Sequence, residues 1–168
     1  PEVALPPAQI GPSSLLVAAA TGDASAQFEV ASRFAEGKGV PKSFEQAAVW
    51  YQRAAAQGLS QAQYRMATLY ERGLGVKADS LRARVWYKRA AEQGNLKAMH
   101  NLAVLSTNRD LGAPDYATAA QWFERAAAAL LEQLPCRQGC CHCCIGTFPV
   151  TILDQQHLRE GLARLPDI

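Results

Sequence analysis

Cysteine is absent from the first 135 residues of this 168-residue chain, and all five cysteines lie between Cys136 and Cys144. A protein stapled by disulfides spreads its cysteines along the chain to close loops, so this distribution argues against a disulfide scaffold. No apolar run approaches the roughly 18 residues that a membrane-spanning helix needs. Neither sign of charge dominates, because 17 basic and 15 acidic residues leave a net charge of +2. A nucleic-acid-binding protein usually carries a basic excess, so this balance argues against that class.

The sequence also contains no pattern typical of an active site. There is no Ser-His-Asp set, no pair of catalytic carboxylates and no phosphate-binding loop, so we expect no enzymatic activity. The apolar fraction of 49%, together with only 19% charged residues, excludes a mostly disordered chain. Abundant alanine and sparse β-branched residues favour helix. The length suits one compact domain or a short repeat array, and a chain that begins at Pro1 rather than methionine indicates a fragment.

A repeat of 36 residues organises the chain up to the cysteines. Residues 22–57 and 58–93 are identical at 15 of 36 aligned positions, and a third copy begins at Gly94. A tryptophan recurs at this period, so we predict that all three tryptophans pack in the core: Trp50, Trp86 and Trp122. A fixed period of about 20–50 residues is typical of a solenoid, in which each unit buries its apolar face against its neighbours.

Each unit is predicted to form a hairpin of two helices. Helix A of the first unit spans about residues 23–36, where apolar residues recur at every fourth position, and two glycines and a proline then end it. Helix B follows Ser43, whose side chain can cap it, and Asp79 and Asp115 occupy the same position in the later units.

The third unit departs from this pattern. Arg109 and Leu111 replace its two turn glycines, and its helix B is expected to continue to about Leu134. We therefore predict an all-α chain, an α-solenoid of about three helix-turn-helix repeats, followed by a short cysteine-rich segment and one helix. The predicted boundaries are a linker at residues 1–15, the solenoid at 16–134 and a truncated cysteine-cluster segment at 135–168.

The repeat carries a recognisable motif. The pattern A-Q-x-x-x-A-x-x-[FY]-x-x-G-x-G-V, followed by A-x-x-W-Y-x-R-A-A-x-Q-G, occurs at residues 26–58 and again at 62–94. It resembles the Sel-1-like repeat family over roughly residues 16–130. The resemblance implies a TPR-like α-solenoid that acts as an adaptor for protein partners, without catalysis and without a cofactor in the repeat body. Three stretches further resemble the periplasmic repeat region of PodJ-type alphaproteobacterial polarity factors: residues 10–40, 94–105 and 114–127.

One face of helix A is a candidate partner-binding surface. It lies opposite the apolar stripe and presents one ring and two smaller side chains per unit. Aromatic anchors of this kind carry much of the binding energy at interfaces. The alternative is that these rings complete the packing between repeats, and for the histidine that it is simply packed or half-exposed. The predicted partner-binding residues are Phe28, Ser32, Tyr64, Thr68, His100 and Val104.

The cysteine cluster is spaced for metal binding. Two or three residues between thiols allow neighbouring thiolates to reach one ion, and thiolates favour zinc or iron over hard cations. The predicted ligands are Cys136, Cys140, Cys143 and Cys144, with Cys141 and His142 as substitutes. The alternatives are a set of exposed, oxidisable thiols and a redox dithiol, although a redox dithiol normally needs a βαβ context that this sequence lacks.

The order C-x3-C-x2-C-C, followed by Val150 and Thr151, resembles the YkgJ-type cysteine-cluster family. That resemblance implies a zinc- or iron-chelating domain with further cysteines beyond this length, so the site here is expected to be incomplete. Our main hypothesis is a non-enzymatic adaptor with protein partners, no nucleic acid and no membrane contact within this fragment. The alternative is a zinc- or iron-chelating protein that the repeats target. The PodJ resemblance favours the bacterial periplasm, and functional free thiols favour the cytoplasm.

Overall fold

The computed structural model describes residues 7–133, and the regular elements within this range are all helical. The predicted cysteine segment and the helix after it lie outside the described residues. The seven α-helices are α1 Ser13–Thr21, α2 Ala24–Glu36, α3 Phe44–Ala56, α4 Ser60–Arg72, α5 Ser80–Glu92, α6 Leu96–Ser106 and α7 Tyr116–Gln133. Two short 3-10 helices, Ala8–Ile10 and Arg109–Leu111, complete the chain order.

The helices begin and end where the repeat predicts. Helices A are α2, α4 and α6, and helices B are α3, α5 and α7. In each of these six helices except α4, the residue before the helix accepts a hydrogen bond on a side-chain oxygen from a backbone amide of the first turn. The residue before α4 is Leu59, whose side chain has no oxygen. Such caps satisfy amide groups that have no partner inside the helix. The capping residues are Asp23, Ser43, Asp79, Asn95 and Asp115.

The hairpins stack into one continuous core. Each helix packs mainly on the helices before and after it in the chain, as expected of a solenoid. One buried cluster spans the first hairpin and α4, and a second spans α5, α6 and their neighbours. Tyr70 and Trp86 contact both clusters, so the two halves of the core are joined. Alanine fills many buried positions, which lets the helix backbones approach closely.

A buried glutamine links each of the first two hairpins to the helix before it. Gln27 is only 5% exposed, and its Nε2 donates to the carbonyl oxygen of Ala19 at the end of α1, at 3.1 Å. Gln57 Nε2 in turn donates to Gln27 Oε1 at 2.8 Å. The equivalent groups of the next unit, centred on Gln63, make the same two bonds at 3.3 and 2.8 Å. Met99 occupies this position in the third unit, so an apolar side chain replaces the bonded amide there.

The described part of the predicted linker at residues 1–15 contains regular structure and packs on the first hairpin. Ile10 is fully buried, its carbonyl oxygen accepts a 2.7 Å hydrogen bond from Arg33 Nη1, and α1 already begins at Ser13. The helix α1 is a partial helix B, because its last residues and the following Gly22 repeat the end of α3. The segment from Ile10 to the end of α1 packs on the first hairpin because it covers the apolar end of that hairpin.

The third hairpin differs from the first two in its turn and in its helix B, which are the two places that the sequence predicts. Leu111 closes a 3-10 turn where the first two hairpins have glycines at positive φ, and Gly112 supplies the positive φ instead. The helix α7 has 18 described residues, against 13 in α3 and in α5. The prediction of a differently shaped turn and a longer helix B is therefore confirmed.

The three tryptophans are not equally buried. Trp50 is 3% exposed, whereas Trp86 and Trp122 are only partly buried, so the prediction of three core tryptophans is correct for Trp50 alone. Each ring faces the guanidinium of an arginine three residues later, with carbon-to-centroid distances of 4.5, 4.8 and 5.2 Å along the repeats. The repeat period places these residues in equivalent positions, but their neighbours decide how much water reaches them.

This difference predicts unequal losses of stability. Replacing Trp50 with alanine is expected to lower the free energy of unfolding by about 3–5 kcal/mol, because a buried aromatic ring leaves a cavity. Trp86→Ala should cost less, about 1–3 kcal/mol, because water already reaches part of its ring. Urea denaturation followed by far-UV circular dichroism measures both values. Equal losses would contradict the difference in burial.

Candidate functional site

One ring of each helix A packs on one ring of the helix B in the same hairpin. The ring centroids lie 5.4, 5.7 and 5.4 Å apart in the first, second and third hairpins, and the rings are tilted or edge-on. Such arrangements stabilise aromatic pairs beyond their buried area. The pairs are Phe28 with Tyr51, Tyr64 with Tyr87, and His100 with Phe123.

A hydroxyl pair lies one helical turn further along helix A. Ser32 Oγ is 3.0 Å from the Tyr51 hydroxyl, and Thr68 Oγ1 is 3.2 Å from the Tyr87 hydroxyl. Burial raises the pKa of Tyr51, so this hydroxyl stays protonated and serves as a hydrogen-bonding group. The third hairpin has Val104 at this position, 48% exposed. The polar pairs of the first two hairpins thus give way to an exposed apolar residue in the third.

Tyr87 is the centre of a wider network. Its side chain is fully buried, its hydroxyl donates to Glu71 Oε2 at 2.6 Å, and it accepts from Asn101 Nδ2 at 2.9 Å. Burial raises the pKa of Tyr87, and the hydrogen bond to Glu71 raises it further. Because Asn101 belongs to α6, this hydroxyl joins the second hairpin to the third. The network holds the two units in a defined relative position.

A cleft of about 520 Å³ opens at the beginning of α4 and α6. Two of the predicted rings, Phe28 and Tyr64, form part of its wall. Other residues of α4, the first residues of α6 and the segment leading into α6 form the rest. Its volume falls within the range of about 300–1,000 Å³ that is usual for ligand sites. The lining residues are Phe28, Ser60, Gln61, Tyr64, Arg65, Gln93, Gly94, Asn95, Leu96 and Lys97.

The structure brings the six predicted partner-binding residues to equivalent positions on helices A. Phe28, Ser32, Tyr64 and Thr68 are partly buried by their contacts within the hairpin, and His100 is exposed. These rings pack within their own hairpins, and part of each ring still reaches the surface. Their role in binding a partner stays a prediction.

Sequence reasoning did not identify the two cations of the cleft. Arg65 follows Tyr64 in the chain, and Lys97 precedes His100 by one helical turn. Both side chains are exposed. The spacing of Lys97 from His100 could have indicated this lysine, because residues three or four apart share a helix face. Arg65 is adjacent to Tyr64 in the chain, and no such spacing points to it.

The predicted metal ligands Cys136, Cys140, Cys143 and Cys144 lie outside the described residues, as do Cys141 and His142. Between residues 7 and 133, no group of three or more histidine, cysteine, aspartate or glutamate side chains is arranged to hold a metal ion. None of the helices described combines the length and the hydropathy that a bilayer crossing requires.

Comparison with solved structures identifies two similar helical-repeat proteins. The Sel1 repeat protein from Oxalobacter formigenes is 33% identical, with a TM-score of 0.64 over 70% of this chain and 48% of its own. A protective antigen present in uropathogenic Escherichia coli strains, which displays an SLR fold, is 34% identical, with a TM-score of 0.66 over 68% of this chain and 24% of its own. The present chain thus spans about half the length of the first and a quarter of the second.

The model of the Sel1 repeat matches residues 24–59, 60–95 and 96–129. The first two matches each contain one hairpin, and the third ends within α7 of the third hairpin. No curated protein matches the chain. Neither the family match nor the two solved structures supports the closer resemblance to PodJ-type factors or the resemblance of the tail to YkgJ-type domains. Sel1 repeats typically form scaffolds for protein–protein interaction and are generally non-enzymatic. Because the three matches cover more than half of the sequence, the chain belongs to the Sel1 repeat family.

Proposed function

We propose that this chain is a non-enzymatic scaffold that binds a protein partner on the face formed by its helices A. The observation that carries the proposal is the cleft of about 520 Å³, which is bordered by half-buried rings from two successive hairpins. A partner segment lying in this cleft would contact α2, α4 and α6 together, since all three contribute to its wall. Binding would therefore depend on the stacking of the repeats.

The rings are held in place before a partner arrives. Phe28 packs on Tyr51 and Tyr64 packs on Tyr87, so each ring is supported by its own hairpin. Rigid aromatic side chains lose little conformational entropy on binding, which makes them effective anchors. His100 and Val104 continue the same face as more exposed residues in the third hairpin. This surface can thus accept a segment longer than the cleft itself.

The titratable groups support a binding role over a catalytic one. The pKa of Glu45 is lowered by a hydrogen bond from a backbone amide, and that of Asp115 is lowered by a hydrogen bond from the Thr118 side chain. Both residues lie at the start of a helix and are fully exposed. The raised pKa values belong to buried tyrosines that join helices. These shifts are explained by helix capping and packing, without a catalytic group.

Selection from a displayed library of random 12-residue peptides, performed on the full chain, supplies ligands to test this proposal. We expect the triple variant Phe28→Ala/Tyr64→Ala/His100→Ala to bind the selected peptides at least about 100-fold more weakly, because aromatic anchors carry most of the binding energy. Fluorescence anisotropy with labelled peptides measures this affinity. Thermal melts of the same variant show how much of the loss comes from unfolding.

The matched control replaces three exposed apolar residues elsewhere, Val17→Ala/Leu81→Ala/Val85→Ala, whose side chains are 58%, 57% and 50% exposed. We expect this control to retain the affinity of the parent chain. If no peptide is enriched, or if both triple variants bind equally well, the face on helices A is not the partner surface.

The metal hypothesis for the tail stays a separate prediction. Its four cysteine ligands are proposed from their spacing, and zinc or iron remains the expected metal. Because thiols must lose their protons to bind the ion, metal affinity would fall at low pH. The scaffold role of the repeats does not depend on this site.

A further inference from the structure

The cleft on helices A carries positive charge and no negative charge. Arg65 and Lys97 line it, and its other lining residues are uncharged. Neither cation forms an ion pair with a residue whose side chain the structure describes. The first residues of α4 and α6 also lie in this wall, so the helix dipoles add to the positive potential. The cleft is therefore electrostatically suited to an anionic occupant.

Three other cations of the chain are instead paired with carboxylates. Arg33 pairs with Glu29 at 2.7 Å, Arg82 with Asp79 at 3.2 Å, and Lys88 approaches Glu92 at 3.9 Å. In each case the carboxylate lies three or four residues away on the same helix or its cap, which is the usual spacing for such pairs. Arg65 and Lys97 come from different helices and face one cleft.

We propose that this cleft binds an extended acidic segment of a partner protein. Carboxylates of the segment would pair with Arg65 and Lys97, and an apolar side chain between them would lie against Phe28 and Tyr64. The inference rests on the proposed scaffold function and adds the chemistry of the partner to it. Charge complementarity of this kind raises the association rate and discriminates against basic or neutral partners.

A single-stranded nucleic acid is the competing class of ligand, because it also combines negative charge with groups that stack on aromatic rings. Two observations favour the peptide. The cleft contains only two cations, whereas nucleic-acid sites follow the backbone with a longer row of positive charges. The chain as a whole is nearly balanced, with 17 basic and 15 acidic residues. A labelled 12-nucleotide strand therefore serves as one arm of the test.

The test uses the full chain and the peptides selected from the random library. We expect the enriched sequences to be acidic. Arg65→Glu/Lys97→Glu should weaken their binding about tenfold or more, since attraction at both positions becomes repulsion. The control Lys38→Glu/Lys77→Glu makes the same change in net charge at exposed residues in the turns after α2 and α4, at the opposite end of these helices. This control should retain the parent affinity.

Two further measurements complete the experiment, the salt dependence of peptide binding and the binding of the labelled 12-nucleotide strand. Raising the salt concentration from about 0.05 to 0.5 M should weaken the binding of the acidic peptides, because salt screens the attraction between exposed charges over a shorter distance. The proposal of an acidic partner would be overturned if the enriched peptides had no acidic bias, or if the charge reversal left their affinity unchanged. In either case, a loss of affinity in the aromatic triple variant would still support the scaffold function. If the chain bound the nucleotide strand and enriched no peptide, both the acidic partner and the scaffold function would be overturned.

Discussion

Replacing Tyr87 with alanine is expected to lower the free energy of unfolding by about 3–5 kcal/mol, which is the usual cost of deleting a large buried ring. The Tyr87 side chain is fully buried in the middle hairpin, where it packs on Tyr64. Stability in a solenoid comes from contacts within each unit and with its neighbours, so this one change weakens both. Urea denaturation monitored by far-UV circular dichroism measures the loss.

The hydroxyl of Tyr87 can be tested separately from its ring. Tyr87→Phe keeps the packing but removes the bonds to Glu71 and Asn101, and we expect a loss of about 1–3 kcal/mol because polar groups then lack their partner. Tyr51→Phe is the matched control, since Tyr51 occupies the same repeat position and its hydroxyl has one side-chain partner, Ser32. Equal losses in the two variants would show that the wider network adds no stability.

Replacing Gly75 with alanine is the second substitution with a large expected effect. Gly75 has a φ of 67°, in the left-handed region that disfavours side chains, and an added Cβ would overlap the backbone of Phe44 and Glu45. We expect a total loss of about 2–5 kcal/mol, because the strain of this φ costs roughly 1–2 kcal/mol and the overlap adds about 1–3.

Gly94→Ala separates these two costs. Gly94 also has a positive φ, 86°, but an added Cβ would meet no atom within 4 Å. We expect this variant to show the conformational strain alone, about 1–2 kcal/mol. Thermal and urea denaturation of the two variants give the difference directly. If Gly75→Ala is no less stable than Gly94→Ala, the turn of the second hairpin does not pack tightly on the start of α3.

The turn of the third hairpin shows the consequence of this contact. Leu111 occupies the position of Gly75, and a leucine side chain could not fit at an equivalent close approach. A second cleft, of about 480 Å³, lies between α5 and the third hairpin and is bordered by Leu111 and Trp122. The change from glycine to leucine was visible in the sequence, but the cleft beside this leucine is a property of the stacked hairpins.

The repeat of 36 residues, with its motif and its capping residues, determined the family, the number of hairpins and the places where their helices begin. These features could be predicted because they depend on short-range chemistry. Asp23 and Ser43 cap their helices by bonds to backbone amides three residues away, and recurring apolar residues define one helix face. The rings of the partner-binding face could be proposed in the same way, because 36 residues separate each of them from the next.

Only the tertiary structure decided how much of each repeated position is exposed. Trp50 and Trp86 are equivalent in sequence, yet they differ in burial because different neighbours cover them. Ile10 is buried although its segment carries no helical stripe, since its contacts are made with a helix more than twenty residues away. The cleft combines Phe28 on α2 with Lys97 on α6, which are brought together by stacking alone. Burial, close backbone approach and the convergence of Arg65 with Lys97 depend on distant parts of the chain, and no local pattern encodes such distances.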